Sequence, residues 1–407
     1  MQLGYIASHY PAVSHTFVSR EIRALRRQGV GVHTFSIRRT PPEDLLTDAD
    51  REEAARTFSV VPSSAGELAS AHARAFRRHP LRYVATFAHA LRRAVPGLRG
   101  RLWGAFYFAE AMPVWERCDR LGIRHLHAQF ADSATDVALL VRRFGGSGWS
   151  WSLAVHGPVE FYDVTRNRLA EKVGDADAVL AISHFGRSQL MTVAPEERWE
   201  RIHVVRCGIE PGAIVPPERR DGGGGILCVG RLVHLKGQSL LVEAVGVLRR
   251  RGLDARLTLV GDGPKRADLE RQARRLGVAD AVTFAGSVGQ DRIREFYDAA
   301  DVFALPSMAE GLPVVLMEAA AAGLPSVSTR LMGIPEIVEH ERTGLLITPG
   351  RLDELVAALE RLLGDAEFRR RLGAEARERV VAEFDVDRSA ARLRELFAAM
   401  PGVGAGG

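Results

Sequence analysis

Two stretches of this 407-residue chain put ionisable side chains where strand-like apolar runs end. In Val229-Gly230-Arg231-Leu232-Val233-His234-Leu235-Lys236-Gly237 the run closes on a glycine, and one arginine and one lysine follow before a helical pattern begins. Arginine offers a planar bidentate fork and lysine a compact point charge, a pair suited to a diphosphate. Gly230 would line the mouth of such a site. The second stretch, Glu310-Gly311-Leu312-Pro313-Val314-Val315-Leu316-Met317-Glu318, follows the strand-like Asp301–Leu305. Gly311 admits close backbone approach, and Pro313 suits the first turn of a helix. That helix would aim free amides and its positive dipole end at an anion. Glu310 belongs to the loop. Glu318 lies about two turns into a helix that is otherwise apolar through Ala322, where a lone carboxylate requires a partner. The hydroxyl pair of a ribose is a natural one.

These residues are carried by an alternation of apolar runs and helical patterns, which predicts repeated βα units and parallel sheets. Strands are expected at 3–7, 30–36, 124–127, 150–155, 177–182 and 202–205, with a helix at 16–28 and a long helical region at 65–118. Pro216-Pro217 and the glycine run 222–225 mark a linker. A fresh series then predicts strands at 226–229, 255–260, 281–285, 301–305, 325–328 and 344–347. The domains are read as 1–215, a linker at 216–225, a nucleotide-binding domain at 226–385, a C-terminal helix at 386–400 and a disordered tail at 401–407. The fold class is α/β, two Rossmann-like doubly wound domains facing across a cleft, with ligands at the carboxyl ends of the strands.

Composition narrows the classes. With 46% hydrophobic and 26% charged residues the chain is globular, and no run is long enough to span a bilayer. The opening Met1-Gln2-Leu3 enters a strand directly, so a cytoplasmic protein is expected. Cys118, Cys207 and Cys228 are scattered and predict neither disulfides nor a zinc site. Lys172, Lys236 and Lys265 are the only lysines against abundant arginine, which makes a lysine at a motif position informative. From Leu68 to Ala109 there is no acidic residue, while eight arginines (Arg74, Arg77, Arg78, Arg82, Arg92, Arg93, Arg99, Arg101) alternate with seven aromatics. That pattern suits the cytoplasmic face of an anionic membrane or a lipid-phosphate acceptor, or else a helical face turned to water; no nucleic-acid module accompanies it.

The motifs Gly230-Arg231-Leu232 with Lys236-Gly237, Val260-Gly261-Asp262-Gly263-Pro264, Glu310 with Glu318, Gly333-Ile334-Pro335-Glu336-Ile337-Val338 and Thr343-Gly344-Leu345-Leu346 resemble, in order and spacing, glycosyltransferase family 4, retaining enzymes of the GT-B fold. The resemblance is strong over about 225–350 and looser before it. It implies C-terminal helices packing back toward the N-terminal domain. It implies that Arg231, Lys236 and the backbone of Gly311 and Leu312 hold the diphosphate of a nucleoside-diphosphate sugar. Pro313 lacks an N–H to add. Glu318 would take the ribose and Glu310 the hydroxyls of the transferred sugar. Asp262-Gly263-Pro264 reads first as a βα turn, and the loop after Gly286 as passing near the base.

In the N-terminal half Trp149–Val155 runs into His156-Gly157-Pro158, similar to the histidine that contacts the donor sugar in this family. Tyr10-Pro11 with Ser14-His15-Thr16-Phe17, and His125-Leu126-His127-Ala128-Gln129-Phe130, are similar to exopolysaccharide and colanic-acid-type members. His15 stands in place of a glutamate there, and Gln129 in place of a second histidine. The implied reaction is sugar transfer with retention onto a lipid-linked or polysaccharide acceptor, His156 and Glu310 steadying the reacting sugar. No metal site and no cofactor are assigned, so loop cations and a helix start must stabilise the leaving diphosphate. A nucleotide-sugar 2-epimerase or a non-catalytic sugar-nucleotide binder would share the architecture. Nucleotide, sugar, acceptor and oligomeric state are not legible here.

Overall fold

The structure, a computed structural model, describes residues 1–12, 15–216 and 225–403. They form two units. The first contains Met1–Arg206 and the chain from Asp387 onward, and the second contains Cys207–Val386. Positions 217–224 of the expected linker, Ser14, and positions 404–407 of the expected tail lie outside the described residues.

The first unit carries β1 (Gln2–His9), β2 (Gly31–Arg38), β3 (Phe58–Val61), β4 (His125–Gln129), β5 (Ser150–Val155), β6 (Ala178–Ala181) and β7 (Ile202–Val204). All pair parallel in the order β3-β2-β1-β4-β5-β6-β7. Strand order reverses between β1 and β4, which makes their carboxyl ends the place for a ligand. β3 was not expected: it is four residues long, lies at the sheet edge and is bounded by Thr57 and Pro62. The long helical region resolves into three helices, Ala65–Arg78, Pro80–Arg93 and Leu98–Arg120. Pro80 and the Pro96-Gly97 pair interrupt it, since proline removes a helical N–H.

β4 and β5 are buried along their whole length, yet one face of the pair is polar. The register sets His125 opposite Ser150 and His127 opposite Ser152. Ser150 donates to the Pro401 carbonyl at 2.7 Å, so it accepts from His125 Nδ1 at 2.8 Å. His125 is neutral, its pKa pushed down to about 3 by burial, and Nε2 therefore accepts from Ser152 at 2.9 Å. Ser152 in turn accepts from His127 Nδ1 at 2.7 Å. The bonds run in one sense from His127 Nδ1 to the Pro401 carbonyl, and His127 Nε2 has no partner among the described residues. Phe397, on the helix Val386–Ala398, covers both imidazoles with ring centroids 5.3 and 5.2 Å away. Pro401 and the buried Val403 thus belong to the packed first unit, which corrects the expected tail at 401–403.

The second unit holds β8 (Gly225–Val229), β9 (Arg256–Val260), β10 (Val282–Gly286), β11 (Val302–Leu305), β12 (Ser326–Thr329) and β13 (Gly344–Ile347). They are parallel in the order β10-β9-β8-β11-β12-β13, and order reverses between β8 and β11.

The basic helical span is less uniform than its composition. Arg74 pairs with Glu116, Arg78 with Asp119 at 3.0 Å, Arg93 with Glu171 at 2.7 Å, and Arg82 donates to the Gly145 carbonyl at 3.0 Å. Arg77, Arg92, Arg99 and Arg101 are exposed and have no such partner among the described residues. Among the described residues no helix is long and apolar enough to cross a membrane.

Candidate active site

In the second unit the loops that follow β8 and β11 are joined to each other. Met308 N–H donates to the Leu235 carbonyl at 2.7 Å. Gly237, at φ 69°, lies so near the Pro306 carbonyl that a Cβ would stand 2.1 Å from it, which only glycine allows. This contact brings two predicted residues together. Lys236 Nζ donates to Glu310 Oε1 at 2.6 Å, and Ser307 Oγ donates to the same oxygen at 2.7 Å. Ser307 is held in turn, its carbonyl accepting from Thr329 Oγ1 at 2.7 Å. Glu310 is buried, and a carboxylate withdrawn from water is tolerable there because a cation and a hydroxyl both face it.

Arg231 is not part of that cluster. Its backbone carbonyl accepts from Gln238 Nε2 at 3.0 Å, while its guanidinium is exposed and has no partner among the described residues. The two loop cations thus differ in state. Lys236 is engaged with a carboxylate, and Arg231 is available.

Pro313 is the N-cap of the helix Val314–Ala321, one residue before the first turn expected for it. Its carbonyl accepts from Leu316 N–H at 3.0 Å. Gly333 packs against the Gly311 carbonyl, which a Cβ on Gly333 would meet at 1.8 Å; this contact ties two of the motifs. Glu318, 3% exposed, accepts a hydrogen bond from the Tyr297 hydroxyl at 2.9 Å. Sequence reasoning had no signal for Tyr297, which comes from another helix, Ile293–Ala299.

In the first unit His156 follows β5 at the point where strand order reverses nearby. Its Nε2 faces the Gln129 side-chain carbonyl at 2.5 Å, so it carries the proton and donates. The Gln129 amide donates to Glu21 at 3.3 Å, and Glu21 also accepts from Tyr5 at 3.1 Å. Burial lowers the His156 pKa to about 3, with His15 adding to the effect, and His156 is neutral. Burial raises Glu21 to about 7 against the pull of Tyr5 and Gln129. The ring of Phe130, a residue at the left-handed φ of 69°, lies 4.7 Å from His156 and 4.5 Å from His15. Phe17 closes on His156 at 4.8 Å. A non-glycine residue at that φ is held by its surroundings, here at the carboxyl end of β4.

Glu160 is a further residue that sequence reasoning passed over. Its carboxylate accepts from the amides of Ala131, His156 and Gly157 at 2.6, 2.6 and 2.9 Å and fixes the loop that carries His156. Burial raises its pKa to about 7 in spite of those donors. Against the expectation that no Asp-x-Asp motif is present, the chain contains Asp48-Ala49-Asp50, Asp175-Ala176-Asp177 and Asp385-Val386-Asp387, and side chains of each have structural partners. Asp50 completes the capping box of Thr47, Asp177 and Asp175 accept from the amide and indole of Trp151, and Asp387 pairs with Arg27. Among the described residues no three His, Cys, Asp or Glu side chains are grouped to hold a metal.

The comparisons agree with this architecture. A model of the family "Glycosyl transferases group 1" matches residues 216–379. The chain is 35% identical over 285 residues to the GDP-mannose-dependent alpha-(1-6)-phosphatidylinositol monomannoside mannosyltransferase of Mycobacterium tuberculosis, covering 65% of this chain and 74% of that one. It is 36% identical over 236 residues to the amylovoran biosynthesis glycosyltransferase AmsK of Erwinia amylovora, covering 54% and 56%. Sucrose-phosphate synthase of Thermosynechococcus elongatus has a similar fold, with a TM-score of 0.74 at 22% identity over 98% of this chain and 100% of that one. Anabaena HepE in complex with UDP and glucose gives 0.74 at 19% identity, covering 98% and 100%. Two doubly wound units with these motifs at the strand ends define a glycosyltransferase of the GT-B fold. The chain belongs to the glycosyl transferases group 1, the family-4 type.

Proposed function

We propose that this glycosyltransferase is retaining and metal-independent, and that it moves a sugar from a nucleoside-diphosphate sugar to a lipid-linked or polysaccharide acceptor. The observation that carries the reading is the Lys236–Glu310–Ser307 cluster where strand order reverses, beside the exposed Arg231. Arg231, Lys236 and the backbone of Gly311 and Leu312 bind the diphosphate and stabilise its charge as it departs. Glu310 accepts from hydroxyls of the transferred sugar, and Glu318, steadied by Tyr297, accepts from the ribose. A neutral His156, with Nε2 committed to Gln129, positions the sugar without adding a positive charge beside a developing oxocarbenium ion. The acceptor hydroxyl attacks on the face from which the diphosphate leaves, and a phosphate oxygen takes its proton.

Two relatives favour these acceptors. One is named for transfer to phosphatidylinositol monomannoside and the other for amylovoran biosynthesis. An acceptor of the first kind places the enzyme on the inner face of the cell membrane, with Arg77, Arg92, Arg99 and Arg101 toward anionic lipid. The test is transfer from UDP-, GDP- and ADP-sugars to extracted lipid and glycan acceptors in excess EDTA, with the product's anomeric configuration read by NMR. The reading predicts transfer in EDTA with the donor's configuration kept. Inversion, or activity restored only by Mn²⁺ or Mg²⁺, would overturn it.

A further inference from the structure

We propose that Phe130 and His15 recognise the transferred sugar, which rests on the reading above that His156 positions that sugar. Phe130 takes the carbon face of the hexopyranose ring, and His15 Nδ1 accepts from one of its hydroxyls.

Strand order in the first unit reverses between β1 and β4, and the loops that leave these two strands bring His15 and Phe130 together there. The ring centroids of Phe130 and His15 are 4.5 Å apart, and those of Phe130 and His156 are 4.7 Å apart. Phe17 completes the group at 4.8 Å from His156. All four side chains are partly exposed. Burial holds both imidazoles neutral, His15 at about 4 and His156 at about 3, so the cluster presents uncharged rings at neutral pH. Such a surface offers little to a phosphate. The C–H face of a pyranose gains from it both apolar burial and contact with an aromatic face.

Phe130 is held there against its own backbone preference. At φ 69° an L-residue is strained, and phenylalanine has no polar side-chain atom to bond locally in that conformation. Consecutive backbone groups fix the loop. Phe130 N–H donates to the Ala154 carbonyl at 2.9 Å, and the Phe130 carbonyl accepts from Thr135 Oγ1. Ala131 N–H donates to Glu160 at 2.6 Å, and the buried Lys172 donates to the Ala131 and Asp132 carbonyls at 3.1 Å each. A glycine would adopt this φ without strain and make the same backbone bonds. The backbone therefore does not account for the phenylalanine, and its ring does.

His15 supplies the independent observation. Its Nδ1 is buried and has no partner among the described residues. The ring does bond to the backbone of His9, hence through Nε2, which leaves Nδ1 of the neutral imidazole as an acceptor. A buried acceptor without a donor is unfavourable unless an entering group supplies one, and a sugar hydroxyl does so.

The test is calorimetric binding to the full chain, with UDP-glucose and GDP-mannose set against UDP and GDP. Phe130→Ala and Phe130→Gly should each weaken the nucleotide sugar by about five- to tenfold and leave the nucleotide alone unchanged. Phe130→Tyr keeps a ring and should stay within about twofold of wild type. His15→Phe keeps a ring but loses Nδ1, and should weaken the nucleotide sugar by about fivefold. Melting without ligand separates fold from recognition: Phe130→Gly should melt above Phe130→Ala, because both lack the ring and only glycine is free of the strain. The proposal is overturned if nucleotide and nucleotide sugar weaken alike, if neither weakens, or if the Gly and Ala variants melt together. A kinetic change confined to the KM of the acceptor would also overturn it. Wild type that binds the nucleotide sugar and transfers nothing would count against the function proposed above and not against this assignment.

Discussion

The two units fix polar groups at the carboxyl ends of parallel sheets by opposite means. The second unit uses ions. Lys236 and Glu310, from two loops, pair with each other, and the exposed Arg231 beside them is available to an anion. The first unit uses neutral groups in series. Tyr5, Glu21, Gln129 and His156 come from β1, the helix Thr16–Arg27, β4 and the loop after β5; His156 donates to Gln129, and Gln129 and Tyr5 both donate to Glu21. Ionic groups near water suit the diphosphate of a donor, whereas a neutral, desolvated chain suits uncharged hydroxyls. The contrast also predicts how each half fails. Removing a charge should change rates by orders of magnitude, and removing a neutral link should change orientation and pH dependence.

The largest effects are expected from the cations. Arg231→Ala and Lys236→Ala should each lower kcat/KM by a factor on the order of 10²–10³, as loss of a preorganised charge partner does. They should differ in stability. Lys236→Ala leaves Glu310, 7% exposed, without its ammonium and should melt lower, whereas Arg231→Ala should melt as wild type does. Adding Glu310→Gln to Lys236→Ala should recover the melting temperature but not the rate. Wild-type turnover in both single variants would break the comparison.

An intermediate effect separates the two glutamates. Glu310→Gln should act mainly on kcat and Glu318→Gln mainly on KM for the donor, by about tenfold each. Tyr297→Phe removes the hydroxyl that donates to Glu318 Oε2 and should raise KM a few-fold, about the worth of one hydrogen bond. Identical kinetic defects in all three would remove the basis for dividing their roles.

What the sequence made legible follows the same divide. The alternation of strands and helices, the break near 216 and the pairing of loops with chemistry could be read because each depends on residues close together in the chain. The engagement of Lys236 with Glu310 could not, since it depends on how Gly237 meets the Pro306 carbonyl 69 positions away (306 − 237). Gln129 was recognisable only as a departure from a histidine pattern. Its role appears when register sets it beside His156 and the helix Thr16–Arg27 brings Glu21 within reach. Glu160 belongs to no motif in the sequence, yet three backbone amides converge on it. Strand β3 was hidden by its shortness, and the arginine span concealed its internal partners Glu116, Asp119 and Glu171.

The smallest effect belongs to the neutral chain and is one of pH. Glu21 has a folded pKa of about 7 against the ordinary 4.5, so the folded protein holds this proton more tightly than the unfolded chain. Its contribution is therefore fully present below pH 4.5 and is lost as pH rises through 7. Glu21→Gln keeps an oxygen for Tyr5 and Gln129 and cannot ionise. It should gain stability relative to wild type between pH 5 and 8, by on the order of 1–2 kcal/mol, discounted for residual solvent contact. The neutral histidines act in the opposite sense below about 6.5, but they are common to both proteins and drop out of the difference. Parallel melting curves across this range would show that Glu21 is not the buried acid of the chain.

The most direct test of the central claim requires no acceptor. Thermal shift with UDP, GDP and ADP on wild type, Arg231→Ala and Lys236→Ala asks whether the nucleoside diphosphate binds where the two loops meet. One nucleotide should stabilise the wild type, and its shift should vanish or fall sharply in both variants at the same concentration. An undiminished shift in both would contradict the assignment of the diphosphate to this half of the molecule.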